Sequence, residues 1–177
     1  MMTCSDAAFG RQADVSVHLI VRPGGSFTRE EREAFEDLVL RAPQVEKQGL
    51  SKRIQDAHFL CLLYLNGELV GTNAIKDNRG HQRTVETQAG VSLPDAEYLG
   101  EVGYLHVAKD HRRARLGDLL VLGTLAAVKE QGLFTTIQSK NLAPRKLFER
   151  HGFIQAGKSW PSEKGADQVN LYVRPAR

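Results

Sequence analysis

Cysteine is scarce in this chain, with two in 177 residues, and the two cannot serve as a framework. Cys4 stands in a polar N-terminal segment and Cys61 inside an apolar run, so neither a disulfide scaffold nor a Cys/His zinc site has the spacing it needs. Cys61 is expected to be a reduced core residue. No run approaches the ~18 consecutive apolar residues of a membrane-spanning helix, and the N-terminus lacks the basic and apolar regions of a secretory leader. The expectation is a soluble, cytoplasmic protein with no membrane partner. Excess charge is slight as well: a net +3 is too little for a nucleic-acid protein unless the basic residues gather in one place. Internal repeats and low-complexity tracts are absent. What remains is an ordinary composition, 41% hydrophobic and 25% charged, on a length that suits one domain with a substantial core. Residues 1–13 are small and polar and read as a loose tail, with the domain running from 14 to 177.

Periodicity sets out the elements. Val15, Val17, Leu19 and Val21 alternate with Ser16, His18 and Ile20 as in a strand, with His18 on the solvent side. After Arg22-Pro23-Gly24-Gly25, Ser26 or Thr28 is placed to cap a helix with Glu30, Glu31 and Glu33 in its first turns and Phe35, Leu38 and Val39 inward. A weaker helical pattern follows Ala42-Pro43 and runs to about Asp56, interrupted by Gly49. His58 to Leu65 and Glu68 to Ile75 flank Asn66-Gly67, a strong hairpin signal. Asp77 to Glu97 is polar and broken by Gly80, Gly90 and Pro94, so a long loop of functional length is expected there. Tyr98 to Ala108 is extended again. The next helix carries Leu116, Leu119, Leu120, Gly123, Ala126 and Ala127 as a core-facing stripe, with Gly132 placed to end it. Phe134 to Gln138 reads as a strand. Asn141 then caps a short helix from Pro144, with Leu147 and Phe148 inward and Gly152 at its stop. Terminal strands around Phe153 to Lys158 and Val169 to Val173 enclose a polar loop from Ser159 to Gln168. The order is that of a mixed α/β protein.

Charge gathers at one point, between the strand ending at Val107 and the helix running to Ala127. Lys109, Arg112, Arg113 and Arg115 surround a turn that opens a helix, where unpaired N–H groups and the positive end of the dipole meet an anion. A solvated basic turn would have the same composition. A small anionic ligand is the more economical partner, since the turn lacks the interleaved aromatics of a nucleic-acid surface.

Three segments carry a family likeness: Leu105-His106-Val107 at the strand end, Arg112-Arg113-Ala114-Arg115-Leu116-Gly117 in the turn, and Asn141 to Phe153, ending Leu147-Phe148-Glu149-Arg150-His151-Gly152-Phe153. Together they resemble the GCN5-related N-acetyltransferase (GNAT) superfamily. The turn is similar to the family pattern of Arg or Gln, two residues, Gly, one residue, then Gly or Ala, and departs from it where Arg115 replaces the first glycine. Either the backbone there keeps a permissive φ and Arg115 swings out to a phosphate oxygen, or coenzyme A binding is weakened.

The resemblance implies a mixed, mostly antiparallel central sheet flanked by helices, in one domain, with acetyl-CoA as cosubstrate and a primary amine of a small molecule or protein as acceptor. It places cofactor contacts at Leu105, His106, Val107, Arg112, Arg113, Ala114, Arg115, Leu116, Gly117, Asp118, Asn141 and Phe148, with the pyrophosphate on N–H groups from about Arg113 to Asp118. Glu101 is the leading general base, the bland alternative being an exposed start of its strand, and His106 is the runner-up. His106 should share a face with Tyr104 and Val102. Phe148 stands where many members carry a tyrosine that returns a proton to the thiolate, so Tyr104, Tyr172 or solvent must do so. The acceptor pocket would draw on Thr28 to Asp56, Asp77 to Glu97 and Ser159 to Gln168, with Trp160 lining it or simply packing. A homodimer is among the assemblies this allows. Arg115 and Phe148 motivate a second reading, a GNAT-fold module that holds acyl-CoA without turnover.

Overall fold

One hairpin sets the register of the sheet. Asn66 (φ 50°) and Gly67 (φ 83°) are both left-handed, which matches the twist of the strands they join, β2 (Phe59–Leu65) and β3 (Glu68–Lys76). The computed structural model describes residues 15–42, 45–112, 114–128, 130–163 and 165–176; the expected tail of residues 1–13 and Arg113 lie outside them. Around the hairpin stand β1 (Val17–Arg22), β4 (Tyr98–Val107), β5 (Gly132–Gln138), β6 (Ile154–Pro161) and β7 (Gln168–Arg174), in the order β1-β2-β3-β4-β5-β7-β6. Every neighbouring pair is antiparallel except β4 with β5. Among the described residues the helices are α1 (Arg29–Val39), α2 (Leu50–Gln55), α3 (Arg79–Ala89), α4 (Leu116–Ala127) and α5 (Leu142–Arg150). None is long and apolar enough to cross a membrane.

Alternation along the strands sorts the core into two layers. Leu60, Leu62 and Ala74 pack with Phe35, Val39 and Ile54 under α1 and α2, and Phe134, Leu171 and Val173 pack with Val85 and Ala89 of α3. On the other face Ile75, Val102, Leu133 and Tyr172 meet Val121 of α4 and Phe148 of α5. The cap of α1 is Thr28: its side chain accepts from Glu31 N–H while the Glu31 carboxylate accepts from Thr28 N–H. Cys61 is buried on β2 with its Sγ toward the Leu120 carbonyl.

Several expectations need correction. The stretch 77–97 is not a loop: Asn78 Oδ1 accepts from His81 N–H and starts α3, which Gly90 (φ 68°) ends. Its buried face is Gln82, Val85 and Ala89, so a polar residue that hydrogen-bonds the Leu93 carbonyl sits where periodicity looks for an apolar one. The helix before His58 begins only at Leu50, after Gly49 turns left-handed (φ 66°). On α4 the buried residues are Leu116, Leu120, Val121 and Thr124, while Leu119, Leu122 and Ala126 are exposed; the helix stops at Ala127 and Gly132 instead opens β5, where the Tyr98 ring leaves no room for a Cβ. His18 is exposed as expected, but so are Val17 and Leu19, because β1 is an outer strand. Trp160 lies within β6, which runs on to Pro161.

Burial pushes the Cys61 thiol up to about 12, leaving almost no thiolate at ordinary pH. In a Cys4→Ser variant, a colorimetric thiol reagent at pH 8 should therefore react with Cys61 only as fast as the protein unfolds; stoichiometric reaction within seconds in native buffer would contradict a closed core here.

Candidate active site

The site exists because two neighbouring strands part. β4 and β5 run parallel and pair only through Tyr98, Gly100 and Glu101 against Gly132, Leu133 and Phe134; beyond that β5 goes on with β7 and β4 with β3. From Val102 onward the β5-facing edge of β4 has no strand beside it. A second irregularity acts at the same place. Ala74 pairs with Gly103 and Thr72 with His106, so Tyr104 and Leu105 together oppose Asn73 alone. Tyr104 takes φ 56°, and Thr72 Oγ1 holds its carbonyl at 2.9 Å. This is a bulge, which bends the strand and breaks its alternation. Tyr104 accordingly packs with the α1 and α2 layer while Val102 packs with Val121 and Phe148, so the shared face expected for them does not hold.

Two cavities meet in the gap. One of about 640 Å³ is lined by Leu105, His106 and Val107, by His111, Arg112, Arg115, Leu116, Gly117 and Asp118, and by α5 from Asn141 to Arg150. The other, about 620 Å³, lies among β4, β5 and the first helices and includes Arg53, Lys76, His81, Glu101, Tyr104 and Phe148. Leu105, His106, Asn141 and Pro144 line both. This gathers the expected cofactor residues on one wall, Arg113 excepted as outside the described residues and Ala114 as absent from the lining. Phe148 belongs to the second cavity, buried and edge-on to Phe153 at 5.1 Å.

At the turn, Arg115 adopts φ 56°, ψ 20°, the left-handed conformation that glycine would hold, and occupies the N-cap of α4. Leu116 and Gly117 open the helix, so their N–H groups point out of its first turn. Asp118 N–H is taken by the Arg115 carbonyl at 3.0 Å, which removes it from the expected run of free donors. Its carboxylate accepts from Arg150 at 3.0 Å and faces His151 Nε2 at 2.9 Å. Burial would raise its pKa, but these partners hold it below the usual range; the negative charge in this cation-rich cavity is thereby matched. His151 is thus a tie between α5 and α4 rather than a free surface group. Arg112 turns back on the strand, its Nε donating to the Val107 carbonyl at 3.1 Å, so that acceptor is not open. Asn141 sits at the N-cap of α5 without a side-chain cap bond.

On the other side stands a buried charge cluster. Glu101 is 5% exposed; it does not lie at an exposed strand start. Its Oε1 accepts from Thr136 Oγ1 at 3.0 Å, and Oε2 faces Lys76 Nζ, with His81 Nε2 at 3.4 Å. Burial works to raise its pKa, yet Lys76 and His81 outweigh it and bring the carboxyl down to about 2. Gly103 makes room for the lysine, since a Cβ there would come 2.7 Å from Lys76 Cε. Lys76 Nζ also lies 5.3 Å over the Tyr104 ring. The Tyr104 hydroxyl accepts from Arg53 Nε at 3.3 Å, while the rest of that guanidinium ties the carbonyls of Glu46 and Gln48. His106 has its pKa lowered by burial, then by Arg112 and Arg41. Lys76 and His81 carry no local signal in the sequence: one ends a hairpin strand and the other lies in a polar stretch that folds as α3. Trp160 packs with Val85 and Leu93, away from both cavities, and the Tyr172 hydroxyl points to Gln155.

Comparison with known proteins bears on this arrangement. The model of the acetyltransferase (GNAT) family matches residues 25–153. The fold is similar to Escherichia coli ElaA (TM-score 0.66, 14% identity, covering 90% of this chain and 99% of that one). It is similar also to the ribosomal-protein-S18-alanine N-acetyltransferase from Escherichia coli (0.64, 15%, 89% and 94%). A third similar structure is Arabidopsis thaliana Naa50 in complex with the bisubstrate analogue CoA-Ac-MVNAL (0.66, 15%, 90% and 98%). No curated protein sequence matches the chain.

A carboxyl held at about 2 against its ordinary 4.5 stabilises the fold above about pH 4.5, by roughly 3 kcal/mol, and that contribution is lost as pH falls through the folded-state value. Glu101→Gln, which strands Lys76, should cost about 3 kcal/mol at pH 7. Urea midpoints of the two proteins should converge between pH 5 and pH 2; a gap that stays constant over that range would show that Glu101 is not held ionised.

Proposed function

Since the chain belongs to the acetyltransferase (GNAT) family, we propose that it is an acetyl-CoA-dependent N-acetyltransferase, moving an acetyl group to a primary amine of a small molecule or protein. The observation that carries this reading is the junction of two cavities at the parted strand β4, one rimmed by cations and a helix start, the other holding the buried carboxylate of Glu101 with Lys76. Bound acetyl-CoA would supply the activated acyl group as a thioester. Leu116 and Gly117 N–H groups, with the Arg115 side chain, hold the pyrophosphate. The unpaired edge of β4 receives the pantetheine arm as an added strand, and an N–H at the bulge polarises the thioester carbonyl, a contribution on the order of 3 kcal/mol. Asn141, between both cavities, steadies the arm.

The second cavity takes the acceptor. Glu101 neutralises Lys76, so the lysine does not repel an ammonium from the gap; with both oxygens engaged and its carboxyl near 2, it is a poor proton acceptor itself. Tyr104, whose hydroxyl accepts from Arg53 and keeps its own proton to donate, returns a proton to the leaving thiolate in place of the tyrosine that Phe148 replaces. His106, between Arg41 and Arg112, shapes the passage that joins the cavities.

Calorimetric titration with acetyl-CoA, followed by thiol release across an amine panel, tests this reading. Saturable binding with release on at least one amine is expected. Binding without release on any amine would favour the non-catalytic acyl-CoA module, and no binding at millimolar concentration would exclude both. The turn makes its own prediction. Arg115→Gly should relieve about 1 kcal/mol of left-handed strain and raise the unliganded Tm by about 2–4 °C. It should also weaken acetyl-CoA binding roughly tenfold through loss of a charge-assisted bond; unchanged affinity would remove the side chain from the phosphate site.

A further inference from the structure

A primary amine reaches the gap as an ammonium and must lose a proton before it can attack, and the buried carboxylate there cannot take it. Glu101 Oε1 is engaged by Thr136 and Oε2 by Lys76; protonating it would leave Lys76 as an uncompensated charge in a closed site. The same Oε2 lies 3.4 Å from His81 Nε2. His81 stands in the first turn of α3, its backbone N–H held by Asn78 Oδ1 at 3.0 Å, so the residue is fixed at its backbone with its ring beside the carboxylate. The contact is electrostatic, without hydrogen-bond geometry; a carboxylate beside Nε2 favours the tautomer that carries its proton there and leaves the free lone pair on Nδ1. The side chain is 37% exposed and lines the 620 Å³ cavity with Glu101 and Tyr104, which leaves space for a substrate beside it. His106, the other imidazole on the cavity wall, has Arg41 and Arg112 for charged neighbours and, among the described residues, no ion pair to a carboxylate.

Resting on the N-acetyltransferase reading, we propose that His81 is the catalytic proton acceptor and Glu101 the positioning residue behind it. Nδ1 takes one proton from the acceptor ammonium. The freed amine nitrogen bonds to the thioester carbonyl carbon, the C–S bond breaks, and the sulfur leaves with the bonding pair. Tyr104 protonates the thiolate, and the second proton, shed as the amide forms, restores the Tyr104 hydroxyl, so that the sulfur leaves as thiol. The imidazolium is stabilised by Glu101 and passes its proton to water at the cavity mouth. The charged groups around His81 are Lys76 and Asp77 at the end of β3, Glu101 on β4, Arg79 on α3 and, across the cavity, Glu46 and Arg53.

The experiment compares wild type, His81→Gln, His81→Ala and Glu101→Gln for acetyl-CoA affinity by calorimetry and for thiol release with a primary amine between pH 6 and pH 10. His81→Gln should bind acetyl-CoA within twofold of wild type yet lose about 100-fold in kcat/KM at pH 7. That deficit should shrink toward high pH, where the amine sheds its proton without help, and imidazole in the buffer should raise the rate of His81→Ala several-fold. Wild-type rates in His81→Gln, or a loss that is equal at every pH and unmoved by imidazole, would overturn the assignment while leaving the N-acetyltransferase reading intact. Failure of wild type to release thiol with any amine would overturn both.

Discussion

The parting of β4 from β5 after Glu101 and Phe134 is the constraint from which the rest follows. A parallel pair held by three register positions is enough to close one end of the sheet, and the two halves then follow different partners, β3 on one side and β7 on the other. Crevices of this kind, beyond the carboxyl ends of parallel strands, are where open sheets bind ligands. The bulge at Tyr104 adds to the gap by bending β4 and by turning Tyr104 toward α1 and α2. Thr72 holds that bend through the Tyr104 carbonyl, so a side chain of β3 maintains the shape of the edge that β4 offers.

Electrostatics at the closed end of the gap are as constrained as its shape. Burying Glu101 would be costly alone, and the cost is offset by Lys76, Thr136 and His81, each from a different element. Gly103 is what lets the lysine cross beneath β4. The cluster therefore locks β3, α3, β4 and β5 together at the point where β4 and β5 separate. Asp118 with Arg150 and His151 does the same for α4 and α5 at the cationic cavity. The two clusters differ in depth: Glu101 is almost fully buried, while Asp118 keeps a fifth of its side chain in solvent.

The parts legible in the sequence are those fixed by local chemistry. Asn66-Gly67 specifies a hairpin because both positions need φ > 0, and Thr28 with Glu31 specifies a helix start through reciprocal bonds. Glu101 was legible as an oddity, a carboxylate on an apolar strand, but its ion pair was not, because Lys76 comes from another strand and His81 from a helix with only two apolar residues on its buried face. The buried stripe of α4 differs from the expected one for a related reason: nearly every residue from Leu119 to Ala127 is apolar or small, so periodicity has little contrast, and tertiary contact decides in favour of Val121 and Thr124. The bulge at Tyr104 has no sequence signal at all, since a tyrosine at positive φ is held there by its surroundings.

Arg115 combines a local backbone penalty with a place at the rim of a cavity. A side chain in the left-handed region costs about 1–2 kcal/mol relative to ordinary backbone, and a glycine would avoid it. The same backbone places the guanidinium at the rim of the cationic cavity, beside His111 and Arg112 and opposite Lys146 and Arg150. Arg112 is partly committed to the Val107 carbonyl and Arg150 to Asp118, so two of the cations at that rim have protein partners already. Under the acetyl-CoA reading, the residue that departs from the family pattern is then, with Lys146, one of the rim cations that can turn its charge to a phosphate. The Arg115 carbonyl accepts from the Asp118 and Leu119 N–H groups, so this left-handed residue is built into the start of α4.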